Sequence, residues 1–98
     1  MVSIDEELRT AKAALDTLST ANPNVARLHE ATGIARRAQT TALSSDRLLN
    51  NARYMVGMAL PNLIQAIENH PSAAPQAKID KAKGAVDAWM KLLRASRA

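Results

Sequence analysis

Apolar residues recur every three or four positions along most of this chain, and that spacing is typical of one face of an α-helix. Ser3 and Glu6 fit the S-x-x-E capping box that often begins a helix. The sequence therefore predicts a first helix from Ile4 to Ser19. Its apolar seam consists of Ile4, Leu8, Ala11, Leu15 and Leu18.

A second helix is predicted from Asn24 to Leu43. In the turn before it, Asn22 is expected to cap the helix, with Pro23 at the first helical position. Gly33 interrupts the helical pattern at a cost of about 1 kcal/mol relative to alanine, so a break at Gly33 is the alternative. The thin apolar stripe of this helix consists of Val25, Leu28, Ala31, Ala35, Ala38 and Ala42.

A third helix is predicted over residues 46–69, and it is the most apolar part of the chain. Between Met55 and Ile64 almost every residue is apolar on all sides of the helix, which is typical of a buried helix. Pro61 lies inside it, and Gly57, four residues earlier, allows the backbone to bend away from the proline ring. We expect a kink there, and two helices divided at Pro61 are the alternative.

Two prolines, Pro71 and Pro75, bracket a linker before the last helix, which begins near Pro75 or Gln76. Its apolar positions are Ile79, Ala82, Val86, Trp89 and Leu93. The predicted fold is a single all-α domain over residues 1–98, a small four-helix bundle with a central, kinked third helix.

The composition fits a globular protein with 47% hydrophobic and 22% charged residues, and the net charge is +4. The first helix is acidic and the last is basic, so they could pair within one molecule or between two copies, or the basic end could meet an acidic partner. The N-terminus lacks the pattern of a signal peptide, and no apolar run is long enough to span a bilayer. We therefore expect a cytoplasmic protein with no membrane partner.

No catalytic motif is found in the sequence. There is no cysteine, and the two histidines, His29 and His70, lack the partners of a zinc motif. Phosphate-binding and nucleophile-elbow motifs are missing as well. We predict a protein that is not an enzyme, with no cofactor and no metal.

Residues 24–43 include Leu28, Gly33 and Ile34 in the pattern L-x-x-x-x-G-[IV]. This stretch resembles the DNA-binding helix-turn-helix family. The resemblance implies a turn at Gly33 and a recognition helix over residues 35–43, and so a DNA-binding regulator. The side chains facing the major groove would be Arg36, Arg37, Gln39 and Thr40.

Another hypothesis is that the protein binds a small anionic nucleotide. If the second and third helices pack antiparallel, Arg36 and Arg37 could meet Arg53 and Tyr54. Guanidinium groups bind phosphate through paired hydrogen bonds, and tyrosine stacks on bases.

The third helix has more apolar surface than one small bundle is expected to cover, and surplus apolar surface usually marks an interface. We therefore predict a homodimer or higher oligomer. The function that we favour is a non-enzymatic interaction protein, an adaptor, regulator or inhibitor that binds a protein partner through helical surfaces. The predicted interface residues are Met55, Val56, Met58, Leu60, Trp89 and Met90.

Overall fold

Four helices account for nearly all of the residues that the computed structural model describes, which are 2–41, 46–70 and 75–97. Helix α1 spans Ile4–Leu18, α2 spans Val25–Thr41, α3 spans Arg47–Asn69 and α4 spans Gln76–Arg97. The predicted all-α four-helix bundle is confirmed. The end of the predicted second helix (residues 42 and 43) and most of the predicted linker (residues 71–74) lie outside the described residues.

The helices form a four-membered ring in which each packs against two neighbours. Helix α1 lies between α2 and α4, and α3 packs extensively against α2 on one side and α4 on the other. The short connections make consecutive helices antiparallel, and the molecule measures 41 × 22 × 19 Å. The acidic α1 and the basic α4 are therefore neighbours within one molecule.

Small side chains let the helices approach one another closely. Alanine contributes nine buried residues, and the larger side chains of the core come from leucine, isoleucine, valine, Met90 and Trp89. Trp89 is completely buried. The buried alanines are Ala11, Ala14, Ala31, Ala35, Ala38, Ala52, Ala59, Ala66 and Ala82.

Side-chain caps begin three of the helices. The Ser3 hydroxyl accepts a hydrogen bond from the backbone N–H of Glu6, as the capping-box pattern predicts. Asp46 caps α3 in the same way. The prediction for α2 was wrong, because Asn24 and not Asn22 is the cap: its Oδ1 accepts from the N–H of Ala26 at 3.0 Å.

Helix α2 continues without a break through Gly33. No glycine among the described residues has a positive φ, so Gly33 has the backbone of an ordinary helical residue. The turn that the helix-turn-helix resemblance implies is therefore not formed. The alternative of a break at Gly33 was wrong, because neighbouring residues of α2 such as Leu28 and Ile34 stay packed in the core.

Helix α3 also continues through Pro61, so the alternative of two helices divided there was wrong. Proline has no N–H, which leaves the carbonyl of Gly57 without its usual partner inside the helix. Arg36 of α2 supplies the missing donor, because its Nη2 donates to the Gly57 oxygen at 2.9 Å. A side chain from α2 thus compensates for the proline in α3.

None of the helices in the described part of the chain is long and apolar enough to cross a membrane.

Candidate functional site

The outer surface of α3 is uncharged over five turns. Between Leu48 and Ile67 the only charged residue is Arg53, and its side chain is buried. In the part of the chain that the structure describes, every large hydrophobic residue with an exposed side chain belongs to this helix. These residues, with their exposed fractions, are Leu48 (69%), Tyr54 (50%), Met55 (43%) and Met58 (49%).

An apolar groove runs between α3 and α4 beside this surface. Its volume is about 360 Å³. Leu48 and Met55 of α3 form one wall, and Leu92 of α4 contributes to the other. The α4 side is otherwise lined by small residues, Gly84, Ala85 and Ala88, so the groove is open enough to receive side chains from another helix.

The same interhelical face becomes polar towards the end of α3. A second cavity of about 240 Å³ lies there, and its lining includes Asn62, His70 and Lys78. Lys81 lines the apolar groove next to it. Neither cavity is lined by a carboxylate, so this face is neutral along one half and positive along the other.

The two aspartates of α4 do not line this face. Asp80 accepts a hydrogen bond from the side chain of Gln76 at 2.9 Å, and Asp87 forms an ion pair with Lys91 at 2.9 Å. The positive charge of Lys78 and Lys81 is therefore not balanced by a carboxylate within the groove.

The structure divides the predicted interface residues into two groups. Met55 and Met58 are exposed on α3. The other predicted interface residues, Val56, Leu60, Trp89 and Met90, lie in the protein's own core. They cannot contact a partner unless the bundle opens, because the packing of α3 and α4 against the neighbouring helices already buries their side chains.

The predicted anion-binding residues converge only in part. Arg36, Gln39 and Tyr54 line one shallow pocket of about 150 Å³, together with Gly57 and Met58. Arg37 is exposed but is not part of this lining. Arg53 points into the core, where its guanidinium group is bound by Glu7. The predicted four-residue cluster is therefore not assembled.

Glu7, Arg53 and Trp89 form a buried polar cluster that the sequence analysis did not predict. Glu7 Oε1 accepts from Arg53 Nη2 at 2.6 Å, and Glu7 Oε2 accepts from Arg53 Nε at 3.0 Å and from Trp89 Nε1 at 2.9 Å. Arg53 Nη1 also donates to Asn50 at 3.0 Å. This cluster connects α1 to α3, which lies diagonally across the ring, and to α4.

A signal for this cluster is present in the sequence. Glu7 continues the three-and-four spacing of Ile4, Ala11, Ala14 and Leu18, and Arg53 does the same between Leu49 and Val56. Opposite charges at inward-facing positions of two helices indicate a buried ion pair. Glu7 also falls in the first turn of α1, where the helix dipole favours a negative charge on any side chain, so its position near the helix start does not by itself indicate burial.

No group of histidines and carboxylates that could hold a metal ion is found among the described residues. His29 and His70 are both exposed.

Comparison of the chain with family models, with curated proteins and with solved structures finds no match. The fold is a small four-helix bundle.

Proposed function

We propose that this protein is a non-enzymatic interaction protein that binds a partner protein through the exposed surface of α3 and the adjoining α3–α4 groove. The observation that carries the proposal is the uncharged outer surface of α3, which exposes Leu48, Tyr54, Met55 and Met58 side by side. Contiguous exposed apolar surface of this kind marks interaction sites in globular proteins.

The contrast with α4 supports this assignment. Exposed positions of α4 carry Lys78, Asp80, Lys81, Lys91 and Arg94, as expected for a helix that faces water. Between Leu48 and Ile67, helix α3 exposes asparagine, glutamine, tyrosine, methionine and leucine instead, and its exposed charges, Arg47 and Glu68, lie at its two ends. Methionine is flexible and polarisable, and it is common on surfaces that bind other helices.

The buried polar groups support a structural role for the interior. The carboxylate of Glu7 accepts hydrogen bonds at both oxygens, and no buried side-chain nitrogen or oxygen among the described residues lacks a partner. The hydrogen bonds of these groups hold the helices together. We therefore place the function on the surface of the protein and not in its core.

A homodimer or higher oligomer stays a prediction, and Met55 and Met58 are the residues that would carry it. Light scattering after size exclusion, recorded over a range of protein concentrations, measures the oligomeric state. Absorbance at 260 and 280 nm, recorded in the same size-exclusion run, tests a separate hypothesis, that Arg36 and Arg37 bind nucleic acid. Excess absorbance at 260 nm that salt removes would favour nucleic acid over a protein partner.

Site-specific photocrosslinking tests the proposed function directly. A photoreactive amino acid replaces Met55 in one variant and Ala88, across the groove, in another. Lys12, which is exposed on α1, receives it in the control variant. In cells of the source organism, we expect positions 55 and 88 to crosslink to the same protein. Position 12 should not crosslink to that protein. Equal products from all three positions, or none from the groove, would contradict it.

A second variant tests the role of apolar contact. Met55→Glu adds a charge to the exposed surface without entering the core, so the free energy of unfolding should change by no more than about 0.5 kcal/mol. The variant should nevertheless lose the crosslink at position 88. The matched control is Thr40→Glu, which adds the same charge at an exposed position of α2 and should keep that crosslink.

A further inference from the structure

The α3–α4 groove is asymmetric along its length. Its apolar half lies at the end where Leu48 faces Leu92. Its other half carries Lys81 and then Lys78, and no carboxylate lines either half. A bound segment would therefore meet an apolar surface at one end and two ammonium groups at the other.

Lys78 lies in the first turn of α4, where a helix ordinarily prefers negative charge. Lys78 and Lys81 fall in the first two turns of α4, and the first turn of this helix has no acidic residue. The N-terminal end of a helix dipole is positive, so anions are favourable and cations unfavourable there. Carboxylates brought by another molecule would interact with both the lysines and the exposed N-terminal end of α4.

We propose that the groove binds one amphipathic helix of a partner protein, whose first turns carry Glu or Asp and whose later turns carry the apolar contacts. This inference rests on the proposed function. The acidic end lies beside Lys78 and Lys81, and the apolar face follows the groove past Met55 to Leu48. The bound helix therefore runs antiparallel to α3 and parallel to α4.

The direction follows from the bound helix as well as from the groove. Acidic residues in the first turn of a helix stabilise that helix through its own dipole, so a helix with carboxylates at its start satisfies both requirements at once. A helix in the opposite direction would need its carboxylates in its last turn, where they are unfavourable. From Lys78 to Leu92 the groove follows α4 for about 21 Å, which a bound helix of about four turns would cover.

Two synthetic peptides of about 18 residues, with the same composition, test the direction. Both have leucines at helical spacing on one face and blocked termini. The Glu-first peptide has glutamates in its first two turns and glutamines in its last two turns. The Glu-last peptide has glutamines in its first two turns and glutamates in its last two turns. Each peptide carries a fluorescent label on its polar face, and fluorescence anisotropy measures the dissociation constant with the full-length protein.

The Glu-first peptide should bind the wild-type protein about fivefold more tightly than the Glu-last peptide. In the proposed direction, the Glu-last peptide places glutamines beside Lys78 and Lys81 and so loses two exposed charge contacts. The Glu-first peptide is also the better helix former, so the decisive quantity is the change in this ratio between protein variants. Lys78→Gln together with Lys81→Gln should lower the ratio severalfold. Arg9→Gln together with Lys12→Gln, an equal loss of charge on exposed α1 positions, should leave it unchanged.

The other outcomes separate this inference from the proposed function. If both peptides bind, both depend on Met55, and the lysine variant leaves their ratio unchanged, the groove binds helices without a preferred direction. The inference is then wrong and the proposed function stands. If neither peptide binds up to about 1 mM, the inference is also wrong, and photocrosslinking decides the proposed function separately. A wild-type dimer that excludes both peptides would overturn the inference by showing that a second copy occupies the groove.

Discussion

Glu7→Gln tests whether the buried ion pair holds the bundle together. Glu7 and Arg53 have exposed fractions of 0% and 1%, and two hydrogen bonds of 2.6 and 3.0 Å join them. Glutamine keeps the shape of the side chain but removes its charge, which leaves the Arg53 cation in the core without an anion. Loss of one member of a buried pair costs about 3–5 kcal/mol.

That cost is large for a domain of this size. Small domains have free energies of unfolding of roughly 5–15 kcal/mol, and each kcal/mol corresponds to about 4–8 °C in Tm. Glu7→Gln should therefore lower Tm by about 12 °C or more. Arg53→Met should have a similar effect, because it leaves the Glu7 carboxylate buried without its cation.

The double variant gives the sharper result. With Glu7→Gln and Arg53→Met together, neither charge remains, and the glutamine oxygen can still accept from Trp89. Its cost should be smaller than the sum of the two single costs by about 3 kcal/mol, since each single variant includes the penalty of one unpaired buried charge.

Urea unfolding followed by circular dichroism measures these free energies, and the fluorescence of Trp89, the only tryptophan, gives a second probe. Glu6→Gln, the same change at the partly exposed neighbouring position, is the control and should stay within about 0.5 kcal/mol of the wild type. The reasoning would be refuted if Glu7→Gln and Arg53→Met each lowered the free energy of unfolding by less than about 1 kcal/mol. It would also be refuted if the losses of the two single variants simply added in the double variant.

Two further predictions concern helices α2 and α3, and chemical denaturation measures both. Arg36→Met should cost about 1 kcal/mol, because the Gly57 carbonyl loses its donor. In a Pro61→Ala background the same change should cost almost nothing, since alanine in place of the proline provides the missing N–H; equal costs would contradict this role. Gly33→Ala should stabilise the protein by about 0.5–1 kcal/mol, because a Cβ there meets no atom within 4 Å outside the adjoining backbone of its own helix. Destabilisation would instead indicate a turn at Gly33.

The sequence predicted the helices well because local signals determine where they begin. Ser3 caps α1, as the capping-box pattern predicts, and Asp46, the first residue of the predicted third helix, caps α3. Asn22 was the wrong cap because two asparagines flank Pro23, and composition alone does not choose between them. Asn24 is the residue that caps α2, and its own N–H donates to Thr17 of α1 at 2.6 Å, a contact between segments that no local pattern contains.

The candidate site was predicted less well, because apolar periodicity does not reveal which faces neighbouring helices cover. The sequence indicated surplus apolar surface on α3, and Met55 and Met58 do remain exposed. Val56 and Leu60 face the other helices instead. Leu48 is the most exposed large hydrophobic residue in the described part of the chain, yet it was not among the predicted interface residues.

The sequence by itself determined the four helices, the starts of α1 and α3, and the all-α fold, since helix formation depends on neighbours three and four positions away. Only the tertiary structure decided the partners of the arginines. Arg53 meets Glu7 from 46 positions away, and Arg36 reaches the Gly57 carbonyl from 21 positions away. Those contacts depend on how each helix is rotated against its neighbours, and packing of the whole core sets that rotation.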